Sequence, residues 1–223
     1  NDMNGKMTKH IKHHLTDELL IGYSAGSLPE AFNVVVASHI SLCDDCRAAL
    51  AEYDAVGGEV LAKTDASEMS ANSLEATLAM ISDMPVASDV KAPVTKSGIF
   101  PAPLQEYVSG DIDAVKWRKV GGGVSQMILK TSPNATVRLL KIPAGAAMPD
   151  HGHQGTELTL VLQGAFVDDH DHFAAGDVEV ANEDMTHTPV AAPGEDCICL
   201  AATDAPLQFN GLIPRIAQKF MRI

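Results

Sequence analysis

Along the first third of the chain, apolar residues recur at helical spacing. Leu15, Leu19 and Tyr23 fall at i, i+4 and i+8. Thr16 is the candidate N-cap, Asp17 and Glu18 suit the positive end of a helix, and Gly26 suits its C′ position. Ser27-Leu28-Pro29-Glu30 reads as a second start, with Ser27 as cap, Glu30 at the reciprocal capping-box position and Pro29 tolerated that early. Phe32, Val35, Val36, His39 and Ile40 then form one apolar stripe. A third helix is expected to open at Ser41–Asp44 and to run through Tyr53 and Val56 to about Leu61. Gly57–Gly58 either costs that helix about 2 kcal/mol or ends it. Asn72 and Glu75 frame a short fourth helix with Leu74, Leu78 and Ile81 on one face.

After Met84 the text becomes PVASDVKAPVTKSGIFPAP, which reads as a linker. From residue 104 the period changes to two, in TVRLLKI, LTLVLQGAF, DVEVA, DCICLAA and LQF, with Gly- and Pro-containing turns between them. That is the pattern of an all-β barrel or sandwich. The expected architecture is therefore multi-domain, α then β. A small helical bundle spans 1–85, a linker 86–103 and a β-barrel 104–223.

The net charge of −13 is spread as −4 over residues 1–63, −3 over 64–100 and −6 over 101–223. No basic stripe exists to neutralise phosphates, so direct nucleic-acid binding is not expected. No apolar run is long enough for a membrane span, and NDMNGKMTKHIKHH lacks the apolar stretch of a secretory signal. Four cysteines in two close pairs then point to a reducing compartment, with the cytoplasm as default.

The first pair lies in HISLCDDC. His39, Cys43 and Cys46 stand at i, i+4 and i+7, so a near-helical backbone puts all three on one face. Zinc takes four N or S ligands in a tetrahedron, and a fourth is available among His10, His13 and His14. Cysteines at a helix N-terminus are expected to have depressed pKa values, which suits a metal ligand. A redox Cys-x-x-Cys is the rival, but no strand precedes Cys43 and an in-phase histidine has no task in it. The blandest alternative is a core histidine beside two buried thiols.

HHLTDELL, AGSLPEAF and HISLCDDCRA resemble the zinc-binding anti-sigma family, specifically its ChrR-type members, and the resemblance covers nearly the whole chain. It implies zinc on His14, His39, Cys43 and Cys46; spacing alone does not separate His14 from His13. It also implies that an extracytoplasmic-function sigma factor is the partner, held between its two polymerase-binding domains. The expected contact surfaces are the apolar edges of the first helix and of the 72–84 helix.

In the second half, Gly145, His151-x-His153, Glu157 and Gly164 fit the first cupin motif without a gap. Residues i and i+2 of a strand share a face, so both histidines are expected to point into the lumen. Gly176 precedes His187 by 11 residues, the spacing of the second cupin motif, although Asn182, Asp184 and Ala191 depart from it. His151, His153, Glu157 and His187 form a set that suits Zn, Fe, Mn or Ni; the ChrR resemblance implies zinc. His170 and His172 read as solvated. Cys197 and Cys199 read as buried thiols too far apart to bridge easily, and Trp117 as packing.

The leading expectation is a regulator rather than an enzyme. Its helical zinc module sequesters a sigma factor, and its cupin domain loosens the grip on a signal. The resemblance implies that the signal is singlet oxygen or an organic hydroperoxide. The alternative is a cupin metalloenzyme, dioxygenase- or isomerase-like, whose open coordination position does chemistry. A thiol switch at Cys43 and Cys46 is a third reading, and the barrel is the candidate surface for self-association.

Overall fold

The computed structural model describes residues 10–84, 98–152, 154–206 and the backbone of 208–209. Helices α1 (Asp17–Ser24), α2 (Glu30–Ile40), α3 (Asp44–Ala62) and α4 (Ser73–Ser82) come first. Thr16 caps α1 by accepting the Leu19 N–H, and Gly26, at φ +66°, lets the chain turn back so that the Ser27 N–H reaches the Gly22 carbonyl.

The expected capping box of α2 does not form. Glu30 instead accepts from the Tyr107 hydroxyl at 3.0 Å and the Ser132 N–H at 2.6 Å, tying the start of α2 to the second half of the chain. The helix is buried nearly all round, with Ala31, Phe32, Val34, Val35, Val36, Ser38 and His39 all inside, as befits the centre of a core. In contrast, α3 runs straight through Gly57–Gly58, neither of which has a positive φ, so its distal half is the part of the helix easiest to distort.

Residues 98–103, at the end of the expected linker, are packed: Phe100 is buried and takes its N–H to Asp111. Helix α5 (Ala102–Val108) and a 3-10 turn (Ile112–Ala114) follow, where the period-two reading expected strand. Then come β1 (Arg118–Gly121), β2 (Val124–Ile128), β3 (Thr136–Ile142), β4 (His151–Gly152), β5 (Glu157–Gln163), β6 (Ala165–Val167), β7 (His172–Ala174), β8 (Val178–Ala181), β9 (Thr186–His187), β10 (Val190–Ala191), β11 (Cys197–Thr203) and β12 (Gln208–Phe209).

The described strands make a six-stranded sheet in the order β1-β2-β3-β11-β5-β8, and two three-stranded sheets, β10-β6-β7 and β12-β4-β9. All pairings are antiparallel. Alternation sorts the large sheet into two faces. Val137, Leu139, Leu158, Leu160, Leu162, Val178, Ile198 and Leu200 form one core with α2 and α5. Val161, Cys197 and Cys199 face the other way, toward Phe166, Phe173 and Ala191 of the small sheet. Strand β11 is buried on both faces, which explains the unbroken apolar run CICLAA.

The helices and the sheet thus share one core, each buried side chain in it contributing about 1.5–3 kcal/mol. Leu200→Ala, at the centre of β11, should cost about 2–5 kcal/mol. Helical circular dichroism and Trp117 fluorescence should fall in one transition at the same lowered midpoint; separate transitions would show two independent cores.

Candidate metal centres

In the helical part, His14, His39, Cys43 and Cys46 come together, each offering a ligand atom within 4.8 Å of the others. His14 Nδ1 lies 3.3 Å from Cys43 Sγ and 3.7 Å from Cys46 Sγ, and His39 Nε2 lies 3.3 Å from Cys46 Sγ. Metal–nitrogen and metal–sulfur bonds of about 2.1 and 2.3 Å at the tetrahedral angle place N and S about 3.6 Å apart. The four side chains therefore fit one tetrahedral ion. Spacing does not separate His13 from His14, but in the structure the His13 ring turns away, its Nε2 3.1 Å from Asp171, while His14 faces the sulfurs. His10 is exposed and outside the cluster.

Local chemistry supports the arrangement. Cys43 is the N-cap of α3, and its sulfur accepts the Cys46 N–H at 3.5 Å. His39 is fully buried, and its Nδ1 donates to the Gly176 carbonyl at 3.1 Å, which leaves Nε2 free to ligate. Burial lowers the His39 pKa to about 4, so the ring is neutral at physiological pH. The expectation of depressed cysteine pKa values fails for Cys46. Burial pushes its thiol up to about 11, with the adjacent Cys43 adding to the rise and the Leu15 backbone N–H opposing it. Two thiolates side by side in a dry site need a cation, and such a pair without one is a poor redox nucleophile.

The second constellation opens into a cavity lined by Arg138, His151, Glu157, Thr159, Glu179, His187 and Cys199, among others. His151 and His187 are directly opposed on β4 and β9, with ring centroids 4.8 Å apart. His153 lies outside the described residues. His151 Nδ1 donates to the Pro149 carbonyl at 2.8 Å. His187 Nδ1 lies 2.9 Å from Asp168 and 3.1 Å from Glu179. Both rings are thus oriented through Nδ1. Of the expected three imidazoles and one carboxylate, His151, Glu157 and His187 are described and line this cavity. The described residues here whose ligand atoms all lie within 4.8 Å of one another are Asp168, Glu179 and His187. Donors of these types suit a divalent metal.

Sequence reasoning missed Asp168, Glu179 and Arg138. The Asp168 side chain is fully buried, although His170 and His172 beside it are solvated as expected. Burial opposes the Asp168 charge, yet backbone N–H donors and His187 bring its carboxyl down to about 2, whereas burial pushes Glu179 up. Burial likewise works against the charge of His187, but its bonds to Glu179 and Asp168 carry it up to about 9. Arg138 is 4% exposed, and its guanidinium bonds Thr136 at 3.1 Å and Gln126 at 3.5 Å. The alternation gives no signal for Glu179 and Arg138, since they stand at the polar positions of DVEVA and TVRLLKI, which read as solvent-facing. Cys197 and Cys199 are buried as expected, but their sulfurs approach to 3.4 Å, closer than their spacing along one strand implied.

Sequence comparison extends these observations. A sequence model of the ChrR cupin-like domain matches residues 105–206. The chain is 52% identical to the anti-sigma-E factor ChrR of Cereibacter sphaeroides over 214 residues, 96% of this chain and 99% of that protein. Among solved structures, that of Rhodobacter sphaeroides SigE in complex with the anti-sigma factor ChrR matches with a TM-score of 0.77 and 50% identity. The match covers 87% of this chain and 99% of that one.

Removing one partner of each centre separates them. Cys46→Ser should lose one metal equivalent by elemental analysis and keep the other. Asp168→Asn should weaken metal in the lumen by about 10–100-fold in a chelator competition, with the helical site's thiolate absorption still present at saturating metal.

Proposed function

The chain belongs to the ChrR family of anti-sigma factors, and from that premise we propose that it sequesters an extracytoplasmic-function sigma factor in the cytoplasm. In this reading residues 1–85 form the sigma-binding unit, with zinc on His14, His39, Cys43 and Cys46. Residues 104–223 form the sensor, with a second ion on His151, His153, Glu157 and His187. Singlet oxygen or an organic hydroperoxide acting at the sensor releases the partner. Among the described residues no helix is long and apolar enough to cross a membrane.

The observation that carries the reading is an apolar surface left exposed among the described residues. In α4, Leu74, Leu78 and Ile81 share one face and are 64%, 52% and 59% exposed, and no residue of that helix is buried. Val56, Val60 and Leu61 of distal α3 are exposed as well. A monomer has no use for so much apolar surface in two adjacent helices, whereas a helix-in-groove interaction needs anchors at that spacing. The acidic chain meets the transcription apparatus through protein, since nothing in its charge pattern neutralises phosphates.

The zinc assignment follows from two imidazoles and two thiolates at tetrahedral separations, a donor set softer than the lumen's. One observation favours the enzymatic alternative: Glu179, whose carboxyl burial pushes up, and the Arg138 cation line the cavity beside His151, Glu157 and His187. Turnover of hydroperoxides by the iron- or manganese-loaded chain would establish it.

For sigma binding, Leu78→Asp and Ile81→Asp should each weaken the complex by about 30-fold or more, as expected of central apolar anchors. The free chain's circular dichroism should stay unchanged, because both positions are exposed. Undiminished binding in both variants would place the partner elsewhere. His151→Ala should still bind the sigma factor but resist release by an organic hydroperoxide, measured as loss of the complex on size exclusion.

A further inference from the structure

The segment that delivers His14 is anchored to the cupin sheet by backbone hydrogen bonds. Asp177, 2% exposed at the start of β8, accepts the Lys12 N–H at 2.7 Å and the His13 N–H at 3.1 Å through Oδ1. Its other oxygen accepts the Ala174 N–H at 2.9 Å, which closes the β7–β8 turn. The Val178 N–H donates to the His13 carbonyl at 3.3 Å. In the same turn the Gly176 carbonyl takes the His39 Nδ1–H. Gly176 has φ +105°, and a Cβ there would lie 2.8 Å from the Ile11 side chain, so close approach of the two segments requires glycine. One turn of the barrel therefore fixes both imidazoles of the helical centre.

The same elements reach the lumen. Glu179 stands two residues beyond Asp177 on β8, and it faces His187. A second route runs through the β6–β7 turn. His187 bonds Asp168 at 2.9 Å, the other Asp168 oxygen accepts the Asp171 N–H at 2.9 Å, and the Asp171 side chain meets His13 Nε2 at 3.1 Å. His13 also packs on Phe173, with ring centroids 4.4 Å apart.

We propose that Asp177 is the positioning residue of the helical metal site, and that the β6–β7 and β7–β8 turns make metal affinity at the two centres interdependent. An ion on His187 Nε2 fixes that ring against Asp168 and Glu179. The two turns are thereby ordered, and with them His13 and the Gly176 carbonyl that set His14 and His39. The inference rests on the two-site reading above. Coupling of this kind is reciprocal, so a change in the lumen that loosens the helical site implies the converse by the same factor.

The test uses the full chain, stripped of metal and reloaded with cobalt(II). Elemental analysis first counts the sites; a single equivalent would overturn the two-site reading, and the coupling with it. Thiolate-to-cobalt absorption, identified by its loss in Cys46→Ser, then reports helical-site affinity with the lumen competent or disabled by Glu157→Gln. The expected difference is about 5–150-fold. Asp177→Asn, and separately Asp171→Asn, should shrink that ratio toward one with the number of sites unchanged. Asp171 is 62% exposed at its side chain, so its variant keeps the test available if Asp177→Asn does not fold. Two full equivalents with equal helical-site affinity in either lumen state would overturn the coupling and leave the two-site reading standing. An undiminished ratio in both variants would remove it from these turns.

Discussion

The placement of one buried ring constrains most of this structure. His39 sits on the most deeply buried of the described helices and is itself 0% exposed. Its Nε2 faces the Cys46 sulfur and its Nδ1 a carbonyl 137 residues away. Both partners must be in place for the ring to be buried at acceptable cost, because an unpaired polar atom in such a site costs about 1–3 kcal/mol. Helix α2 can occupy the centre of the molecule only if the cysteine-bearing end of α3 closes on one side of it and the barrel on the other.

That requirement ties together two parts with different periodicities. The barrel presents one apolar face to α2 and α5 and turns its second face inward, where charged groups gather around His151, Glu157 and His187. A lumen with this many buried ionisable groups is expensive without partners, and here each has one: Asp168 with His187, Glu179 with the same ring, Arg138 with the Glu157 charge close by. The groups that orient the lumen ligands lie on the same short strands and turns that grip the N-terminal segment. Among the described residues, the distal half of α3 and all of α4 stand apart from this construction with their apolar side chains exposed.

The sequence by itself determined the period of each half, and with it the order of helices then strands, because burial against one face leaves a local record in hydropathy. It also marked His39, Cys43, Cys46, His151, Glu157 and His187 as candidate ligands, since each group follows the spacing of a short motif. The near-helical backbone assumed for HISLCDDC is broken, since α2 ends at Ile40 and Cys43 is extended at φ −109°; it is the turn between α2 and α3 that brings His39, Cys43 and Cys46 together. Only the tertiary structure decided between His13 and His14, since the choice depends on Asp171 and Asp177, far along the chain. It alone moved Glu30 from a capping box to Tyr107 and Ser132, and raised the Cys46 pKa where a helix terminus promised the reverse. The buried roles of Asp168, Glu179 and Arg138 were decided there too, because which face of a strand looks into a lumen is settled by what closes over it. Local geometry is written in local spacing; desolvation and long-range hydrogen bonds exist only once the chain has packed.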